Sequence, residues 1–168
     1  MSRDINRATP FMRWFWPKLE QSVHDELGLN IFLVDVDRDW KVQRAYFAQG
    51  RDDLRTVNYL RGVANLPAIN ALQNKHKITW TINSKHITNL EDDIAYNDYS
   101  RAIDIGLKAE DGRYIGEAAA DLNKDGLRDY QQIGEIGERI GGSRIRWGGR
   151  FMNSKGKPNP DMPHFEEV

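Results

Sequence analysis

Apolar and polar positions along the chain alternate with two different periods, and the switches between them outline the elements. PKLEQSVHDELG (17–28) carries apolar residues at helical spacing, with Pro17 suited to a first turn and Gly28 to an end. NIFLVDV (30–36) is a short β-branched apolar run and reads as a buried strand. In RDWKVQRAYFAQG (38–50), Trp40, Val42, Ala45, Tyr46 and Phe47 make one apolar helix face, and Gly50 a stop. A long polar stretch, 51–77, contains a short helical pattern, LRTVNYLRGV. KITWTINS (77–84) alternates as a strand does and runs into Lys85 and His86; RAIDIGL and GRYIGEA read as further strands. DGLRDYQQIGEIGERIGG (125–142) is helical in pattern, although Gly134 and Gly137 each cost about 1 kcal/mol against alanine. RIRWGGRF predicts a strand and turn, and MPHFEEV a last short strand.

Helices and strands in this order follow no βαβ rhythm. They predict an α+β fold with helices around a small antiparallel sheet. No repeat or linker divides the 168 residues, so one domain spanning 1–168 is expected, with the helical segment 1–30 packed on it. Lys and Arg total 24 against 25 Asp and Glu, a balance that argues against a nucleic-acid partner or an anionic membrane surface. No apolar run is long enough to span a bilayer, and the first residues lack the apolar core and cleavage site of a secretory signal. No stable membrane insertion is expected, and a monomer is the expected state.

The chain contains no cysteine, so any metal must be held by histidine and carboxylate. Of four histidines, His24 falls in a helix and His76 beside lysines in a polar loop, where solvated side chains are expected. His86 and His164 each adjoin a strand-like stretch with carboxylates nearby. Two imidazoles and one Asp between them would give the three protein ligands that a catalytic zinc requires, with a position open for water. Spacing alone favours two ordinary histidines at the core edge, because no HExxH motif is present.

Linked motifs shift that balance. SKHITNLEDDIAYNDYSRAIDIGL, followed by WGGRF and then DMPHFE, resembles the VanY-like zinc peptidases. These comprise D-Ala-D-Ala carboxypeptidases and the L-alanyl-D-glutamate endopeptidases found among phage endolysins. Upstream, DRDWKVQRAYFAQGR and KITWTINSKH are similar to further blocks of that family, so the resemblance runs from about Phe32 to Glu166. It implies a hedgehog/D-Ala-D-Ala-peptidase-like zinc centre in which His86, Asp104 and His164 are the ligands. It also implies that Asp161 is the general base and that Arg38 faces the scissile carbonyl. Eighteen residues separate His86 from Asp104, more than the family's usual short interval, and Asp93 falls at the usual distance. Asp104 is preferred because RAIDI matches the family strand, with Asp93 the alternative. Insertions near 52–74 and 90–100 interrupt the family pattern, and Arg150 stands where members often carry an acid.

The resemblance implies zinc-dependent cleavage of a peptidoglycan stem peptide, foremost by an L-alanyl-D-glutamate endopeptidase. As an endolysin it would be held in the host cytoplasm until released to the cell wall. A D-Ala-D-Ala carboxypeptidase is the alternative within the family; a non-enzymatic binding module, as in hedgehog signalling domains, is the alternative outside it.

Two local features remain. DLNKDGLRDYQQ fits an EF-hand-like calcium loop at Asp121, Asn123, Asp125 and Asp129, but its twelfth position is Gln132 instead of glutamate. A turn whose aspartates cap the following helix is the expected reading, with weak Ca²⁺ binding the alternative. FMRWFWPK (11–18) is aromatic and basic; a hydrophobic staple of the first helix is expected rather than an interfacial anchor.

Overall fold

A computed structural model describes residues 2–88 and 98–168. Among them are four α-helices, α1 (Pro10–Leu27), α2 (Trp40–Ala48), α3 (Leu54–Val63) and α4 (Asp129–Gly141). The strands are β1 (Asn30–Asp35), β2 (Arg38–Asp39), β3 (Ile87–Thr88), β4 (Ala102–Lys108), β5 (Tyr114–Ile115), β6 (Ile145–Trp147) and β7 (His164–Glu167). The architecture is α+β. The main sheet is antiparallel in the order β1-β4-β7-β6, with β5 also paired to β4, while β2 and β3 form a separate parallel pair. No helix among the described residues is long and apolar enough to cross a membrane.

The strand period of two sorts the sheet into faces. Ile103, Ile105 and Leu107 of β4, Phe165 of β7, and Ile145 and Trp147 of β6 belong to the buried core shared with α1 and α4. The alternate residues Asp104, His164, Glu166 and Arg146 stand on the opposite face, and the register sets Asp104 against His164 and Arg146 against Glu166. One antiparallel sheet thus carries a hydrophobic face and a polar ladder.

The first helix starts earlier than the sequence pattern suggests. Thr9 is its N-cap, its hydroxyl accepting from the Met12 N–H at 3.3 Å, and Pro10 occupies the first turn. Pro17 therefore lies inside the helix, where it lacks the N–H for one ladder bond. The aromatic segment belongs to the helix itself: Phe11, Phe15 and Trp16 are buried, and Phe15 meets Phe165 with ring centroids 5.6 Å apart. The segment packs onto the core as expected, from within the helix rather than ahead of it.

Glycines 134 and 137 are explained by the sheet beneath α4. A Cβ at Gly134 would lie 2.3 Å from the Trp147 ring, and one at Gly137 would lie 2.3 Å from Phe165. The helix gives up about 1 kcal/mol of propensity at each and gains close approach to two large buried aromatics.

KITWTINS is not a strand. Its alternation leaves Ile78, Trp80 and Ile82 exposed, and side chains of α2 and the turn after it hold its backbone in place of a neighbouring strand. Gln43 donates to the Thr81 carbonyl at 2.6 Å, and Arg51 donates to the Thr79 carbonyl at 3.0 Å. The 52–74 insertion forms α3 and a return segment. Asn58 exchanges two hydrogen bonds with the Ile69 backbone, and buried Arg61 donates to the Pro67 carbonyl and to Gln49. Most of the 90–100 insertion, and Asp93 with it, lies outside the described residues.

Candidate metal centre

His86, Asp104 and His164 come from three distant parts of the chain and meet on the polar face. His86 precedes β3, whose pairing with β2 anchors it: the Arg38 N–H donates to the His86 carbonyl at 2.8 Å. Asp104 and His164 are cross-strand partners on β4 and β7. His86 Nε2 lies 3.3 Å from both Asp104 Oδ1 and His164 Nδ1, and His164 Nδ1 lies 2.9 Å from Asp104 Oδ1. Among the described residues, these form a group of His and Asp side chains able to hold a metal ion.

The second nitrogen of each ring decides what this triangle can bind. His86 Nδ1 donates to the Val36 carbonyl at 2.9 Å, which leaves Nε2 as a lone pair. His164 Nε2 donates to Glu166 Oε2 at 3.2 Å, which leaves Nδ1 as a lone pair. Two imine lone pairs and a carboxylate oxygen therefore converge, an arrangement that could hold a cation. Ligands about 2.0–2.2 Å from a tetrahedral zinc stand about 3.3–3.6 Å apart, so a slight opening of the triangle accommodates the ion. The donor set of imidazole and carboxylate suits zinc. Outer hydrogen bonds of this kind fix ring orientation and raise ligand basicity.

The charges of these side chains are strongly coupled. Burial works against a charged His164, but hydrogen bonds to Asp104 and Glu166 and the charges of Asp104 and Asp161 outweigh it, pushing the imidazole up to about 9. Burial likewise opposes ionisation of Asp104. The His86 charge and the hydrogen bonds from both imidazoles overcome it and hold the carboxyl well below its ordinary range.

Asp161 and Arg38 flank the triangle. Burial and the negative charge of Asp104 raise the Asp161 carboxyl, while His164, His86 and Arg38 oppose that rise, so it stands within the field of all four. Its backbone is tied down at both ends: its N–H donates to the Gly148 carbonyl at 2.9 Å, and its carbonyl accepts from the His164 N–H at 3.1 Å. Gly148 is required there, since a Cβ would lie 2.3 Å from the Asp161 carbonyl oxygen. This is what the Trp-Gly-Gly run does in the structure. Arg38 donates to Asp35 at 2.5 Å and to Gln43 at 2.7 Å, and its guanidinium lies over the Tyr46 ring.

The structure adds residues that the sequence reading passed over. Glu166 holds His164, and Arg146 in turn donates to Glu166 at 2.8 Å. The signal was present, because residues two apart on a strand share a face. Asp35 and Gln43 fix Arg38, and only tertiary contact reveals them. Arg150, unexplained by motif, donates to both oxygens of Glu138 at 2.7 and 2.9 Å and so pins the turn after β6 to α4.

No family model matches the chain. Over 74 residues it is 32% identical to the peptidoglycan L-alanyl-D-glutamate endopeptidase CwlK of Bacillus subtilis (strain 168). The aligned part covers 44% of this chain and 40% of that protein, so the likeness spans less than half of either.

Proposed function

We propose that this protein is a zinc-dependent peptidoglycan peptidase, most specifically an L-alanyl-D-glutamate endopeptidase acting as a phage endolysin. The observation that carries the reading is the convergence of His86 Nε2, Asp104 Oδ1 and His164 Nδ1, with each ring oriented from behind. The likeness to CwlK supports the substrate class. A zinc ion held by these three residues would lower the pKa of water and polarise the scissile carbonyl. Asp161 would take the proton from the attacking water and pass it to the leaving amine. Arg38, held by Asp35 and Gln43, would face the carbonyl oxygen where negative charge develops. Glu166 and the Val36 carbonyl keep both imidazoles aimed, so the centre needs little reorganisation as charge builds.

The test is mass spectrometry of purified peptidoglycan digested with the zinc-loaded protein, with and without chelator. New peptides with amino-terminal D-Glu that vanish with chelator are expected. Free D-Ala as the product would move the assignment to a carboxypeptidase, and no product at full zinc occupancy would overturn the enzymatic reading. In the same assay, Asp161→Ala is expected to retain zinc and lose about 10²- to 10⁴-fold in turnover.

A further inference from the structure

Ahead of α4, the Asp121–Gln132 loop carries a polar cluster that the peptidase reading does not use. Its aspartates do not cap the helix. Arg128 is the N-cap and makes no side-chain capping bond, and Asp129 turns back to accept from the Leu122 N–H at 2.8 Å through Oδ2. Asp129 is fully buried, yet its Oδ1 has no hydrogen-bond partner. Oε1 of Gln132, one helical turn on, is also buried without a partner. An ionisable oxygen buried without a donor is costly unless a cation completes it.

The surroundings supply the rest of a coordination sphere. Asp121 accepts from the Asp125 and Gly126 N–H groups at 3.1 Å each, which folds the loop around its acidic side chains. Oδ2 of Asp125 is held by two side-chain amides, Asn123 at 3.1 Å and Gln132 at 2.8 Å. Rotating the Gln132 amide by half a turn turns its buried oxygen toward Asp125, and Asn123 Oδ1 already faces that residue, accepting from its N–H at 3.3 Å. Burial raises the Asp129 carboxyl, the hydrogen bond from the Leu122 N–H opposes that rise, and the charges of Asp121 and Asp125 add to it.

We propose that this loop is a calcium site, coordinated by the side chains of Asp121, Asn123, Asp125, Asp129 and Gln132 and by the Leu127 carbonyl. An all-oxygen set of about six donors on a flexible loop suits calcium better than magnesium, which demands tighter octahedral geometry. Gln132 gives one oxygen where a bidentate glutamate would give two, so the dissociation constant falls at about 10⁻⁴–10⁻³ M. Binding ties the loop to the first turn of α4, the helix that rests on Trp147 and Phe165 beneath the metal centre.

Calorimetric titration of the zinc-loaded protein with CaCl₂, and separately with MgCl₂, tests the site alongside thermal melts. Calcium is expected to bind at one site per chain and to raise Tm, with magnesium at least tenfold weaker. Asp121→Asn and Asp125→Asn, both at exposed positions, are each expected to weaken calcium at least tenfold. Asp111→Asn, an exposed carboxylate outside both sites, is expected to leave the calcium titration unchanged. No heat and no Tm change up to about 10 mM calcium, above the range of the weakest such loops, would overturn the proposal. So would binding that survives both loop substitutions or disappears with Asp111→Asn.

Discussion

The His86/Asp104/His164 centre and the 121–132 loop, here proposed as a calcium site, hold their candidate donors in opposite ways. The first draws one residue from each of three segments, as far as 78 positions apart, and sets its donor atoms 2.9–3.3 Å from one another. Strand pairing and second hydrogen bonds leave each ring little freedom. The second draws all its donors from twelve consecutive residues, mostly exposed, and its carboxylates pair with local N–H groups instead of converging. A site assembled by tertiary structure is rigid before its ligand arrives. A site written into one loop must be drawn together by the ligand, and its affinity is reduced accordingly.

The largest effect that would break this contrast comes from Asp104→Asn. It removes the one anionic ligand from the buried triangle, and loss of stoichiometric zinc by elemental analysis is expected together with loss of activity. Retention of both would remove Asp104 from the centre. Next, Glu166→Gln tests whether rigidity resides in the outer hydrogen bond. Zinc affinity, measured by competition with a chromophoric chelator, is expected to fall about 10- to 100-fold; an unchanged affinity would mean the sheet alone orients His164. The smallest effects concern the scaffold and are read from thermal or denaturant unfolding. Gly137→Ala forces a methyl group against buried Phe165, and a loss of about 1–3 kcal/mol from overpacking outweighs the helix-propensity gain of about 1. On exposed α3, Gly62→Ala meets nothing within 4 Å, and a gain of about 0.5–1 kcal/mol is expected. If both substitutions stabilise, α4 does not rest on the sheet as closely as described.

Local signals were readable wherever one side chain or one period carries the information. Gly28 and Gly50 marked helix ends, and alternation in RAIDIGL and MPHFEEV found the two strands that carry Asp104 and His164. The same alternation misled in KITWTINS, because period two reports a strand only where a partner strand accepts its hydrogen bonds. There, no strand pairs with it, and Gln43 and Arg51 donate to its carbonyls. Gly134 and Gly137 read as weaknesses in a helix until the aromatic rings beneath them were located.

By itself the sequence determined the α+β character, the absence of any thiolate ligand, the histidines with strand neighbours and the acidic loop ahead of α4. Each of these depends on composition or on residues a few positions apart. Tertiary structure alone decided that His86, Asp104 and His164 share one point, that Glu166 and the Val36 carbonyl turn two imidazole lone pairs toward it, and that Asp35 and Gln43 hold Arg38. Those facts depend on strand register and on which face each side chain takes. Register is fixed by burial of Ile103, Phe165 and Trp147 on the far side of the sheet, an interaction among residues distant in sequence.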